Sequence, residues 1–268
     1  MIRRLAIAAT VALTLPAARV GAQEQARDAF EWTGGIPQGR WLYVRNLNGV
    51  IRVERASGSQ AEVRARVRTH GGREATEVRF VTQKADDGQS VVICALWGER
   101  SSCDERGYRG EHNRRNDEGD GWASVEFNVR VPQGVRLEVT SVNGSLQVRG
   151  ATSEVVAKTV NGSVRAETEG GPVRAQTVNG SIDARMSTVG DARDLAFESV
   201  NGSVTVAMPA SLGAEVEMST VNGRVNTEFP ITVSGRIDPK RLRATIGDGS
   251  RRVRLKTVNG SVNLRRSE

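Results

Sequence analysis

Residues 157–166 read Ala-Lys-Thr-Val-Asn-Gly-Ser-Val-Arg-Ala, and the chain writes variants of this phrase seven times. The turns stand at Asn48-Gly49, Asn143-Gly144, Asn161-Gly162, Asn179-Gly180, Asn201-Gly202, Asn222-Gly223 and Asn259-Gly260. Successive intervals are 95, 18, 18, 22, 21 and 37 residues. A short repeat marks an architecture in which each unit buries its apolar face on the next. The last interval covers two periods, and Ala244 to Ser250 (ATIGDGS) is the expected degenerate turn there.

Around Asn161, apolar residues stand six and four before (Val155, Ala157) and three and five after (Val164, Ala166), with polar residues between. The other six copies keep this pattern with few exceptions. Period-two alternation on both sides of a turn predicts two half-buried strands per unit. Asn and Gly are expected to supply the positive φ angles of a sharp corner.

Two architectures fit. Each Asn-Gly could close a type I′ hairpin in an antiparallel meander. Alternatively, each unit is one coil of a solenoid, with equivalent positions stacked in parallel. The column before Asn decides: Leu47, Val142, Val160, Val178, Val200, Val221 and Val258. Hairpin ends would leave these residues in solvent, whereas a solenoid corner is expected to turn them inward. The reading is therefore all-β, a single-stranded, β-helix-like solenoid with Asn-Gly corners and about 18–22 residues per coil. The pattern carries no handedness. Thr159, Thr177, Thr220 and Thr257, with Ser141 and Ser199, form an inward hydroxyl column, and the asparagines an amide ladder. At about 4.8 Å per stacked strand, seven coils extend about 34 Å.

Residues 1–22 read as a secretory signal peptide: Arg3 and Arg4, a short apolar run from Leu5 to Pro16, and small residues at Val20-Gly21-Ala22. Residues 23–134 carry strands without the signature, apart from Asn48, and are expected to form wider, irregular coils. Within them, residues 98–121 form a long polar loop. Residues 135–268 are the regular repeats, continuous with what precedes. The expected location is outside the cytoplasm, secreted, periplasmic or on the cell surface, with no transmembrane segment after signal cleavage.

The chain has 268 residues, 29 of them Gly, and only 4% is aromatic, which argues against a large helical enzyme core. Its formal charge of +7 falls to +4 once the leader and its three arginines are removed, a weak footprint for nucleic acid. Cys94 and Cys103, nine apart in an exported chain, either close a small disulfide loop or stand as two thiols.

Motifs for chemistry are sparse. A triad needs a positioned His, and His70 and His112 lie near no nucleophile motif. Asp104, Glu105, Glu111 and Asp117 sit among arginines in the polar loop, and Asp191, Asp194 and Asp248 are scattered. The outward columns (Gln147, Arg165, Asp183, Thr205, Asn226, Asn263 and Thr140, Lys158, Gln176, Glu198, Ser219, Lys256) are mixed, as on a solvated face. No catalytic, cofactor-binding or metal-binding residue is expected.

The VPxGVxL lead-in at Val131–Leu137, the TVNGSV repeats and the closing stretch from Thr245 to Arg266 resemble the bacterial DUF4097 family of β-strand-repeat proteins, also labelled adhesins. The resemblance implies an exported or envelope-associated β-solenoid and brings no catalytic residues with it. The expected function is a non-enzymatic, adhesin-like binding or scaffold protein of the cell envelope. Its partner would be a glycan, an envelope component or another protein. The alternatives are a carbohydrate-active β-helix enzyme, lyase or hydrolase, and a structural envelope-stress component.

Overall fold

The structure, a computed structural model, describes residues 28–70, 78–98, 100–110, 122–233 and 238–267. The leader at 1–22 and much of the 98–121 loop lie outside the described residues. The chain enters as β1 (Asp28–Gly35), β2 (Trp41–Arg45), β3 (Ile51–Arg55), β4 (Gln60–His70), β5 (Val78–Lys84) and β6 (Val91–Trp97). A small hairpin follows, β7 (Ser102–Asp104) and β8 (Gly107–Arg109), and then the long β9 (Trp122–Val131). Short strands continue as β10 (Arg136–Thr140), β11 (Leu146–Ala151), β12 (Val155–Lys158), β13 (Val164–Thr168), β14 (Val173–Gln176), β15 (Ile182–Met186) and β16 (Asp194–Glu198). The last are β17 (Val204–Pro209), β18 (Ala214–Ser219), β19 (Val225–Thr227), β20 (Thr232–Val233), β21 (Arg241–Ile246), β22 (Arg252–Lys256) and β23 (Val262–Ser267).

Among the described residues the fold is all-β, built on two long, open, mixed sheets. The first runs β1-β4-β9-β3-β11-β13-β15-β17-β23-β19 and the second β20-β21-β18-β22-β16-β14-β12-β10-β2-β6-β5. Every Asn-Gly corner joins a strand of the second sheet to one of the first, so none closes a hairpin. Stacked layers pair in parallel and in register, as in Val155↔Val173 and Ala157↔Ala175 in the second sheet and Val164↔Ile182 in the first. The core lies between the sheets and is lined by the alternating apolar positions, including Leu137, Val139, Leu146, Val148, Phe197 and Leu255.

Four expectations are corrected. First, no described non-Gly residue has positive φ, so the corner asparagines do not. Four corner glycines (Gly144, Gly162, Gly180, Gly223) are outside the left-handed region as well. What these corners require of glycine is close approach. A Cβ on Gly162, Gly180 or Gly202 would collide with the carbonyl oxygen of the glycine in the layer below.

Second, the Val column points outward. Val160, Val178 and Val200 are 38–39% exposed and Val221 is 55% exposed. Strand alternation continues through Thr159 and Thr177, which are buried, and so puts the next residue in solvent.

Third, the layers do not stack in chain order. Asn259 bridges both Asn201 and Asn222, and β22 and β23 lie between the strands of those two layers. The 37-residue interval is an excursion through β20 and β21, and β21 pairs antiparallel with β18. Ala244–Ile246 is thus strand, and Gly247–Ser250 is the turn back toward β22.

Fourth, the N-terminal part is not a run of wide coils. β9 and β6 do extend the layers in parallel, on β3 and β2. But β4, β1 and β5 close that end as antiparallel partners.

Candidate binding surfaces

The corners stack into a ridge of four ladders. At the inner one, each Ser or Thr hydroxyl donates to a glycine carbonyl of the adjacent layer. Thr159 reaches Gly144 at 2.9 Å, and Thr177 reaches Gly162, Thr257 reaches Gly202 and Thr220 reaches Gly260, each at 2.8 Å. Asn46 takes this place in the first corner, where its Nδ2 donates to the Gly49 and Val125 carbonyls and seals the junction with β9. Outside run the exposed valines. Beside them the asparagine amides link Nδ2 to Oδ1 without a break from Asn48 through Asn143, Asn161, Asn179, Asn201 and Asn259 to Asn222, at 2.6–2.8 Å. Ser145, Ser163, Ser181, Ser203 and Ser261 form the fourth ladder, their hydroxyls accepting from the next serine's backbone N–H. Four of these serines floor a shallow concavity of about 570 Å³ that also holds Gln147, Arg165, Asp183, Thr205 and Arg265. Asn226 and Asn263 continue that outward row, linked at 2.9 Å, and Asn263 donates to Thr205 at 3.3 Å.

A second feature covers the outer face of β6. The run Val91-Val92-Ile93-Cys94-Ala95-Leu96 is buried throughout. Val91, Ile93 and Ala95 enter the main core, while Val92, Cys94 and Leu96 pack with Cys103, Tyr43 and Tyr108 beneath the β7–β8 hairpin. The Cys94–Cys103 disulfide ties this flap down. Gln83 donates to the Cys103 carbonyl at 2.7 Å. Arg45, 2% exposed, donates to the Glu105 carbonyl at 2.6 Å and to Glu138 at 2.8 Å, its guanidinium 5.3 Å from the Tyr43 ring. Sequence reasoning missed Arg45 and the covered face. The signal was the unbroken apolar run of β6, which a strand with one wet face does not carry.

The outer face of the second sheet is a field of ion pairs. Glu138 lies between Arg45 and Lys158, Glu154 between Arg174 and Arg136, and Glu217 between Arg243 and Arg254. The hydrogen bond from Arg243 and the charges of Arg243, Arg254 and Arg241 hold the Glu217 carboxyl below its usual range, against partial desolvation.

The remaining singled-out residues do not converge. Asp104 accepts the backbone N–H groups of Arg106 and Gly107 in the flap turn and pairs with Arg109. Burial pushes its carboxyl up, but these bonds and the Arg109 charge outweigh that and lower it. Asp194 pairs with Arg252 at 3.5 Å, and Asp248 caps the turn at Ser250. Asp191 is exposed elsewhere. His70 ends β4, its side chain outside the described set, and Glu111, His112 and Asp117 lie outside the described residues. Among the described residues no group of three His, Cys, Asp or Glu could hold a metal, and no helix is long and apolar enough to cross a membrane.

The family model described as Toastrack DUF4097 matches residues 36–265. No curated protein matches. Two solved structures are similar at low identity. One is a candidate cell adhesion protein from Clostridium sporogenes ATCC 15579, 12% identical, covering 89% of this chain and 99% of that chain, with a TM-score of 0.46. The other is a candidate adhesin from Bacteroides fragilis NCTC 9343, 10% identical, covering 89% and 96%, with a TM-score of 0.36.

Proposed function

The chain belongs to the Toastrack DUF4097 family, and from that premise we propose an exported, non-enzymatic, adhesin-like scaffold of the cell envelope, built as a single-stranded β-solenoid with Asn-Gly corners. The observation that carries this reading is the corner ridge. Seven stacked corners share one amide row along a single edge, flanked by an apolar row and, at five of the corners, by a hydroxyl row. Such a surface suits a partner that is itself extended and repetitive.

The non-enzymatic part is supported by the carboxylates. A general acid needs a carboxyl raised toward neutral pH, whereas the Glu217 carboxyl, paired with Arg243 and Arg254, is held below its usual range.

The test is a glycan array and a cell-envelope pull-down with residues 23–268 beside Val160→Lys/Val178→Lys. Retention of a glycan or envelope component, lost in the variant, is expected. Release of new reducing ends from a polysaccharide by residues 23–268 would overturn the reading. Deleting 98–121 is a poor control, because it strips the cover from Val92 and Leu96.

A further inference from the structure

Among the described residues, the outer face of the second sheet has a place where its charge pairing fails. β18 is flanked by β21 and β22, and the registers set Ser219 directly between Arg241 and Lys256. In the next row, Glu217 stands between Arg243 and Arg254 and pairs with both. Arg241 and Lys256 have no carboxylate within ion-pair distance among the described residues, although both are exposed and lie two strands apart, about 10 Å between their Cα atoms. Glu198 lies beyond Lys256 on β16. These groups line an open concavity of about 330 Å³ in which four cations face two carboxylates.

We propose that this concavity binds a polysaccharide carrying carboxylate or sulfate groups. The proposal rests on the scaffold reading above and names its ligand class. An anionic group seated over Ser219 takes charge-assisted hydrogen bonds from the Arg241 guanidinium and the Lys256 ammonium, and a further one from the hydroxyl. It also supplies the close ionic contact that neither Arg241 nor Lys256 makes with the two carboxylates of the concavity. The depressed Glu217 carboxyl reports the same positive potential. Glu198 and Glu217 shape the choice of polymer. They accept hydrogen bonds from sugar hydroxyls, which a glycan supplies densely, and they repel a phosphate backbone, which is dense in charge and poor in donors. The open rim admits a chain passing through rather than a small molecule enclosed.

The test measures binding of residues 23–268 to polygalacturonate, the sparsely sulfated galactan κ-carrageenan, neutral dextran and duplex DNA at low and high salt. One or both anionic polysaccharides bind, more weakly as salt rises. Arg241→Gln/Lys256→Gln lowers that affinity about tenfold. Arg185→Gln, an exposed charge on β15 of the other sheet, leaves it unchanged, and both variants unfold at the wild-type temperature. The two anionic arms tell carboxylate from sulfate recognition. Unchanged affinity in the double variant, DNA binding as tight as the polysaccharides, or no polyanion binding at all would each overturn the proposal. In the last case, a neutral glycan or envelope component still captured on the array leaves the scaffold reading standing.

Discussion

The hydroxyl of Thr177 donates to the carbonyl oxygen of Gly162, one layer away, at 2.8 Å. The bond explains why a hydroxyl recurs two residues before almost every corner asparagine. Stacked glycines leave a carbonyl inside the corner, and only a side chain pointing inward reaches it. Thr177→Val keeps the shape, strands that carbonyl, and is expected to lower unfolding free energy by about 1–3 kcal/mol. Its neighbour Val178 faces solvent, so Val178→Thr changes stability by about 0.5 kcal/mol or less. Urea unfolding of the two variants separates them, and equal losses would contradict the inward and outward assignment.

Asn179 both donates to Asn161 and accepts from Asn201, at 2.8 Å each. Asn179→Ala is expected to cost about 1 kcal/mol, since both bonds are exposed. Because its φ is not positive, glycine offers no relief there. Asn179→Gly is therefore at least as destabilised as Asn179→Ala in the same assay. A glycine variant more stable than the alanine variant would restore a positive-φ corner.

Gly180→Ala tests the close approach. Its Cβ meets the Gly162 carbonyl, which is backbone and is held by neighbours on both sides. A loss of about 3 kcal/mol is expected, with the added methyl forcing two layers apart. Gly39, where a Cβ meets nothing within 4 Å, has φ of 77° and so carries only conformational strain on the same change. Its loss is smaller, about 1–2 kcal/mol.

The flap disulfide is inaccessible, with Cys94 fully buried and Cys103 8% exposed. Thiol labelling of the native protein in mild reductant is expected to stay near zero until denaturant is added. Cys94→Ser/Cys103→Ser loses about 2–3 kcal/mol and gains binding of an apolar dye, because Val92 and Leu96 lose their cover. Prompt labelling of the native fold would show that the flap opens freely.

Asp87 caps the β5–β6 turn, accepting from the Gln89 and Ser90 backbone N–H groups and from the Ser90 hydroxyl. The bonds from Ser90, chiefly, hold its carboxyl at about 2, below the ordinary 3.8. A depressed carboxyl contributes stability above its unfolded value and loses it as pH falls toward the folded one. The melting temperature should therefore drop between about pH 4 and pH 2, and Asp87→Asn should flatten that part of the profile. An identical acid profile in the variant would assign the loss to other carboxyls.

Much of the fold was legible in the sequence because alternation is a strong code. The apolar positions around Asn161, namely Val155, Ala157, Val164 and Ala166, are all buried. The direction of the Val column was misread because apolar character was taken for burial. Counting on from Val155 and Ala157 puts Thr159 inside and Val160 outside, and the Gly144 carbonyl supplies the partner that settles the threonine. The order of the layers was not legible, because corners of near-identical sequence offer nearly interchangeable edges to one another. The excursion through β20 and β21 sets the order, and nothing in the TVNGSV phrase records it. The unpaired cations at Arg241 and Lys256 were invisible for the same reason, since their shared neighbour Ser219 is fixed by a pairing that chain order does not suggest.

The placement of the Asn259 layer between those of Asn201 and Asn222 has a consequence for timing. As the polypeptide emerges, the edge of β16 and β17 finishes before its permanent neighbour exists. The β18–β19 unit, next in line, would zip onto that edge in a register that its own alternation permits. The native arrangement requires that this premature pairing be avoided or undone so that β22 and β23 can slide in. The antiparallel pairing of β21 with β18 covers only the flank of β18 that faces away from β22, so the edge that must wait for β22 stays open until the end of the chain is made.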